Sequence, residues 1–389
     1  MIDKIKTISK KNIIQNKTYL YSAGFNTDKK LKGKERINEE LSDLKMLIKK
    51  KVKLILISHQ GSYKMKNTVH FNFLQKYLQK KLHTKILYIK RKKINFSKDL
   101  SKKIKNGEVL LLPNVRFYKN EETNSFELGK KFSKLADIVI IGGFSKAHRL
   151  NASNNSILNF KPAYLANGIF NEIKKIEPWL NPQKHSICIL GGEKKEKITL
   201  GLKSFCKTYN YIIPSGVVLN SILKSLKINI GKSKHHTINE INLINKIYTK
   251  YKKKILLPEF VLVTKENKFK KVKKISLNNL NKQDNIVGFI LSDIMKKRLN
   301  ICVKNKSHIL LAGTPSLMKH NVKYPTIDIL KYLNKNKKKS LLLGGDTVSD
   351  LKFRGNKSSG GGSALYYLSN KSLPLIDSMY KNQRVFNVI

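Results

Sequence analysis

Carboxylates are scarce in this 389-residue chain: 25 Asp and Glu face 79 Lys and Arg, for a formal net charge of +54 and a pI ≈ 10.1. Arginine is scarcer still, at Arg36, Arg91, Arg116, Arg149, Arg298, Arg354 and Arg384 alone. The three cysteines, Cys188, Cys206 and Cys302, are unclustered and show no C-x-x-C spacing. That excludes a disulfide framework and a cysteine zinc site, and leaves each as a small buried hydrophobe. No apolar run approaches the roughly 18 residues of a membrane-spanning helix. The best candidate, Leu135–Phe144, is short, glycine-bearing and strand-like. The basic N-terminus, MIDKIKTISKKNIIQNK, has neither an apolar h-region nor a small-residue cleavage site. A soluble cytoplasmic protein is expected, with an organelle transit peptide left open.

A field this positive attracts polyanions whatever else the protein does. The basic residues are nevertheless almost all lysine, spread along the whole chain beside abundant Asn and Ile. An A+T-biased genome imposes that mixture, whereas a selected nucleic-acid face favours the bidentate fork of arginine. Nucleic acid is therefore expected only as a non-specific electrostatic partner.

Short β-branched runs alternate with segments of helical period. The runs are Thr18–Ser22, Leu54–Ser58, Lys85–Ile89, Val109–Leu112, Ile138–Ile141, Ile187–Leu190, Tyr211–Ile213, Phe260–Val263, Ile286–Leu291, Ile309–Leu311 and Ser340–Leu343. Between them, Asn38–Lys50, Phe71–Leu82, Phe126–Leu135, Ile238–Tyr251 and Thr326–Leu333 carry apolar residues three and four apart. This alternation predicts an α/β chain with two doubly wound, Rossmann-like parallel-sheet domains. Pro162–Leu180 reads as one long connecting helix. The expected division is an N-terminal domain over 1–165, helix and linker over 166–184, a C-terminal domain over 185–372 and a returning tail over 373–389. The lysine-rich stretches Lys265–Lys274 and Asn334–Lys339 read as solvated loops or helix ends.

Ligands of open parallel sheets gather beyond the carboxyl ends of the strands, so the residues following each run are the candidates. His59-Gln60-Gly61-Ser62 follows the second run, Pro113 to Phe117 the fourth, and Gly142 to Arg149 the fifth. Arg36 follows the loop after the first. Three of the few arginines thus fall on one face of one domain, suited to phosphate or carboxylate. In the second half, Gly191-Gly192-Glu193-Lys194, Gly344-Gly345-Asp346-Thr347 and Ser359-Gly360-Gly361-Gly362 follow strands or open helices. Such turns offer backbone N–H groups to phosphate, and Asp346 could hold Mg²⁺ through one carboxylate or simply cap its helix. Walker, Rossmann-fingerprint, nucleophile-elbow and H-E-x-x-H spacings are all missing. His148 reads as a packed histidine, His59 as either core or ligand, His235-His236 as a surface loop, and Arg298, Arg354 and Arg384 as surface residues.

The ordered set of motifs resembles the phosphoglycerate kinase family. Gly24-Phe25-Asn26, Arg36-Ile37, Ser58-His59-x-Gly61, Asn114-Val115-Arg116-Phe117 and Ala147-His148-Arg149 match its N-domain motifs in order. Leu190-Gly191-Gly192-x-Lys194, Gly344-Gly345-Asp346-Thr347 and Ser359-Gly360-Gly361-Gly362 match its C-domain motifs, so the likeness runs from about Tyr19 to Leu375. The resemblance implies a monomeric glycolytic kinase with a hinge-bending cleft, making ATP and 3-phosphoglycerate reversibly from ADP and 1,3-bisphosphoglycerate with Mg²⁺. It implies Asn26, Arg36, His59, Arg116 and Arg149 as ligands of the phospho-acid. It gives Lys194, Lys197, Gly344, Gly345, Asp346, Thr347, Gly360 and Gly361 to the nucleotide, and Asp346 to the metal. Arg36, Lys194, Lys197, Gly345 and Gly362 would serve the transferring group.

The chain departs from that pattern in several places. The family's Asp-Phe-Asn is Gly24-Phe25-Asn26, its Ser-His-x-Gly-Arg ends in Ser62, and its Asn-Asp-Ala-Phe is Ile141-Gly142-Gly143-Phe144. The lysine loop before Lys197 is one residue short. On the nucleotide side, a triple glycine reads Pro214-Ser215-Gly216, Asn-Gly-Pro reads Ala312-Gly313-Thr314, and a ribose-binding glutamate reads Lys319. Three readings follow: a working kinase with a weakened adenosine site; an impaired kinase-fold protein kept as a binding or structural component, RNA-associated in one version; or a different small-acid kinase on the same scaffold, suggested by Gly24 and Ser62.

Overall fold

The computed structural model describes residues 2–31, 33–91, 94–265 and 271–388, with the side chain of Lys319 outside the described set. The chain divides into two compact units, 1–174 with 372–389, and 175–371.

In the first unit, β1 (Thr18–Ser22), β2 (Lys53–Ile57), β3 (Ile86–Tyr88), β4 (Val109–Leu111), β5 (Ile138–Ile141) and β6 (Ala163–Leu165) form one sheet. Its order is β3-β4-β2-β1-β5-β6, with every pairing parallel. The strands are apolar without alternation because both faces are covered, and all of β1 is buried. Tyr21 lies opposite Leu56 on one side and Ile140 on the other. Helices Leu41–Lys49, Asn72–Leu82 and Phe126–Ser133 bury Leu44 and Leu47, Leu74, Leu78 and Leu82, and Leu128 and Phe132 respectively. The strand order reverses between β1 and β5, and that switch point is where the site forms.

In the second unit, β7 (Ile187–Leu190), β8 (Tyr211–Pro214), β9 (Phe260–Lys265), β10 (Lys273–Ser276), β11 (Asp284–Phe289), β12 (Ile309–Ala312), β13 (Ser340–Leu343) and β14 (Asn356–Ser358) form two sheets. The main one is parallel in the order β14-β13-β12-β7-β8. Its order reverses between β7 and β12. The doubly wound parallel expectation thus holds for both main sheets.

Three corrections accompany it. The runs at Phe260 and Ile286 do not join the parallel sheet; they pair antiparallel with each other and with β10 in the order β10-β9-β11. Their connections are too short for a crossover helix, so only antiparallel pairing can close them. Part of the stretch expected as a solvated loop is therefore strand β10, while 266–270 lie outside the described residues. Nor is Pro162–Leu180 one helix. Ala163–Leu165 extends the sheet beside β5, and the helix occupies only Asn167–Ile176 before a 3-10 turn at Glu177–Trp179. Asp43 fixes that start, accepting from the backbone N–H of Asn167 at 2.8 Å and from its side-chain amide at 2.7 Å. No helix among the described residues is long and apolar enough to cross a membrane.

The helix Pro374–Val385 belongs to the first unit through two buried amides. Asn382 accepts from the Ala163 N–H at 3.0 Å and donates to the carbonyls of Leu158 and Lys161 at 2.6 and 2.8 Å. Gln383 accepts from the Lys6 N–H and donates to the carbonyls of Lys6 and Ala163. Replacing Asn382 by Ala strands three backbone groups at once. Urea unfolding of Asn382→Ala should show a loss of about 2–4 kcal/mol, since unsatisfied buried groups cost ~1–3 kcal/mol each and water recovers part of that; a loss under about 1 kcal/mol would contradict this account.

Candidate active site

Strand β1 ends at Ser22, and the chain continues through Ala23-Gly24-Phe25-Asn26 across the switch point. The Ala23 N–H bonds to Ile57 O at 2.8 Å, and the Phe25 N–H to the Ser58 hydroxyl at 3.1 Å. Arg36, on the short helix Glu35–Asn38, donates from Nη1 to Asn26 O at 2.8 Å. Beyond β2, His59 is buried. Beyond β4, Asn114 ties the neighbouring loops together: its oxygen accepts from the N–H groups of Gln60 and Arg116, and its amide donates to Gln60 O and Val69 O.

Arg116 is only 1% exposed. Its Nη1 meets Glu122 Oε1 at 2.5 Å and its Nη2 meets Asn151 Oδ1 at 3.3 Å, while its Nε has no partner. Burial pulls its pKa down, Glu121 and Glu122 oppose that, and Arg149 adds to it. Arg149 is exposed, with Nε 3.4 Å from the half-buried His148 Nε2. Burial first, then the charges of Lys146, Arg116, Arg149 and Arg36, hold the His59 pKa well below the usual histidine value. The three arginines singled out in the sequence are thus all within electrostatic range of one buried histidine. Guanidinium groups beside such an imidazole are chemically suited to an anion.

In the second unit the glycine turns meet in pairs. A Cβ on Gly313, whose φ is +113°, would lie 2.3 Å from Gly191 O, so the loops after β12 and β7 touch backbone to backbone. A Cβ on Gly361 would lie 3.2 Å from Gly344 Cα, which brings the loops after β13 and β14 together in the same way. Gly344 precedes the helix Gly345–Asp350, with Asp346 exposed and Thr347 buried in its first turn. Gly360 precedes the helix Gly361–Asn370, whose first N–H, from Gly361, bonds to Ser359 O at 2.9 Å. Lys194 is exposed, whereas Lys197 is buried and donates from Nζ to Ala312 O at 3.1 Å. Burial, with a smaller push from Lys194, brings the Lys197 pKa down to about 8 against the opposing pull of Cys188. Lys197 begins a π-helical turn, Lys197–Leu202, a wide turn that accompanies the shortened lysine loop.

A family profile described as phosphoglycerate kinase matches residues 11–371. The chain belongs to the phosphoglycerate kinase family. It is 31% identical over 364 residues to the phosphoglycerate kinase of Buchnera aphidicola from Schizaphis graminum, covering 89% of this chain and 90% of the relative. Against the phosphoglycerate kinase of Wolbachia pipientis wMel it is 28% identical over 394 residues, covering 95% and 97%. The fold is shared with the phosphoglycerate kinase structures of Coxiella burnetii (TM-score 0.77, 23% identity, 96% and 99% covered) and Pyrococcus horikoshii (TM-score 0.79, 20% identity, 95% and 97% covered). Family membership makes the chain a phosphotransferase.

Within this family framework the departures acquire structural consequences. Ser62, which stands where the family motif has arginine, donates its hydroxyl to Glu122 Oε2 at 2.8 Å, beside the Tyr63 N–H at 2.9 Å. The carboxylate that bridges to Arg116 is thus held by neutral donors. Ser215 Oγ is buried without a partner beside Gly191. Sequence reasoning missed Lys146, Glu40, Glu121 and Asn151, all buried against the cation cluster. One buried lysine among so many gives no composition signal; only its place between Phe144 and Ala147, both buried, hinted at it. Two bland expectations also change. His236 is buried, with Nδ1 2.9 Å from Ser221 Oγ, and Arg298 is half-buried with its guanidinium 4.6 Å from the Tyr211 ring centroid. The three cysteines are buried and free, as expected.

His59 generates a pH prediction. Its folded pKa is depressed, so below the ordinary histidine value the unfolded chain takes a proton that the folded chain refuses, and stability falls as pH falls. Wild type should therefore lose stability faster than His59→Gln between about pH 6.5 and 5, by up to about 1.4 kcal/mol per pH unit. Parallel denaturation curves for the two proteins would contradict a buried neutral imidazole.

Proposed function

We propose that the chain catalyses reversible phosphoryl transfer between 1,3-bisphosphoglycerate and ADP, giving 3-phosphoglycerate and ATP in glycolysis. The observation that carries this reading is the family match over residues 11–371, and it agrees with loops after parallel strands that bring Arg36, Arg116 and Arg149 within electrostatic range of the buried His59. Those residues, with Asn26, would hold the phospho-acid. Lys194, Lys197, Gly344, Gly345, Asp346, Thr347, Gly360 and Gly361 would hold the nucleotide phosphates, and Arg36, Lys194, Lys197, Gly345 and Gly362 would meet the transferring group. A carboxylate attacks phosphorus without surrendering a proton, so no general base is needed and positioning with charge neutralisation carries the reaction. Backbone N–H groups and buried cations suit that task because they are fixed before charge develops.

Among the described residues no group of three His, Cys, Asp or Glu side chains could cage a metal. The exposed Asp346 carboxylate at a phosphate-ready turn suits Mg²⁺, which binds through one or two carboxylates plus substrate phosphates and water. Bound there, Mg²⁺ would neutralise charge on the nucleotide phosphates.

A coupled spectrophotometric assay tests the reading. ATP should form from 1,3-bisphosphoglycerate and ADP, stop with EDTA and resume with added Mg²⁺; no metal-dependent transfer even at millimolar nucleotide would overturn it. A second expectation concerns Lys197, whose ammonium loses its proton as pH rises through about 8. ADP affinity, measured by titration, should fall across that range in wild type and stay flat in Lys197→Arg, because guanidinium remains charged.

A further inference from the structure

Glu40 and Lys146 are 2% and 3% exposed, and Lys146 is among the charges that act on His59. Lys146 donates from Nζ to Ser22 O at 3.1 Å and Ser22 Oγ at 2.7 Å. Glu40 Oε1 accepts from the Gly24 N–H at 2.9 Å. Residues 22 and 24 are thus pinned by an ammonium and a carboxylate, while 23 and 25 are pinned by β2 and Ser58. The segment they fix delivers Asn26, whose carbonyl anchors Arg36. Glu40 also follows Arg36 by one helical turn, so a single carboxylate couples the arginine's helix to the loop it reaches.

The glycines explain how that carboxylate fits. A Cβ on Gly142 would lie 2.0 Å from Glu40 Oε2 and 2.9 Å from the Tyr21 hydroxyl, two buried groups that interact with each other. A Cβ on Gly24 would lie 2.3 Å from Gly143 Cα, so the loops after β1 and β5 meet backbone to backbone. Positions 24 and 142 each carry an acid in the motifs this sequence resembles, and here both are glycine. The Glu40 carboxylate fills the space next to Gly142 that a side chain there would need.

We propose that Glu40 and Lys146 are positioning residues for the phospho-acid: two buried side chains whose hydrogen bonds to Gly24 and Ser22 set the Gly24–Asn26 loop and Arg36, with Glu40 filling the space that an acid at position 142 would need. The inference rests on the proposed phosphoglycerate kinase activity. Each charge also compensates the other's burial, and Lys146 adds to the positive field felt by His59. Removing one alone strands its partner, so the neutral pair Glu40→Gln with Lys146→Met is the decisive variant.

Calorimetric titration of 3-phosphoglycerate and of ADP should be run separately on wild type, Lys146→Arg and the double variant, with steady-state kinetics on each. The double variant should bind 3-phosphoglycerate at least tenfold more weakly and ADP within twofold of wild type. Its KM for the acid should rise by a similar factor, with kcat within about threefold. Lys146→Arg should recover most of the acid affinity. A folded double variant that binds 3-phosphoglycerate within twofold of wild type overturns the inference. So does a double variant that cannot fold, since the couple would then serve stability. A wild-type chain that binds no 3-phosphoglycerate at all overturns instead the functional reading beneath it.

Discussion

Buried positive charge at the end of β1, β2, β4 and β5 is the constraint from which the first unit's local structure follows. Burying Arg116 and Lys146 without partners would be prohibitive, so the chain must bring acceptors to them. Glu122 and Asn151 meet Arg116, and the oxygens of Ser22 meet Lys146. Glu121 lies in the same interior, accepting from the Ser153 hydroxyl at 2.6 Å and from its N–H at 3.0 Å. Asn114 then locks the loop bearing His59 to the loop bearing Arg116 with all of its amide valences used. What remains is a buried imidazole whose pKa burial and the neighbouring cations hold well below the usual histidine value.

The second unit solves a related problem with different material. Its glycine-bearing loops after β7, β12, β13 and β14 approach one another largely through backbone. The close approach of Gly313 to Gly191 O leaves no room for a side chain at 313, and a Cβ at 361 would press on Gly344 Cα at 3.2 Å. Lys197 supplies a fixed charge there, held by a strand-end carbonyl rather than by a carboxylate. A lysine held that way is available to a phosphate in a manner that an ion-paired one is not.

Much of this was legible in the sequence because the informative residues were rare. Arginine is uncommon in this chain, so three of them following strands stood out, and glycine pairs after β-branched runs marked the strand ends. Other features were illegible for physical reasons. Ala163–Leu165 is apolar in a way that satisfies a helix face or a buried edge strand equally, and only pairing with β5 decides. The antiparallel sheet depends on connection length, not on the strands' own composition. The π-helical turn at Lys197 changes the helical phase, which no pattern of apolar spacing contains. Lys146 and Glu40 became visible only when burial was known.

The scarcity of acid bears on how those buried carboxylates arose. The chain has 25 acidic residues, and most of those described are exposed or partly exposed, where one more lysine would be tolerated. Glu40, Asp43 and Glu121 are buried in the first unit instead, and each accepts hydrogen bonds at a loop or helix start near the switch point. A carboxylate in such a place costs stability unless its bonds repay desolvation, as the raised pKa values of all three indicate, with burial as the leading cause. What each carboxylate does locally differs: Glu40 holds the Gly24 N–H, Asp43 the start of the helix at Asn167, and Glu121 the Ser153 loop beside Arg116.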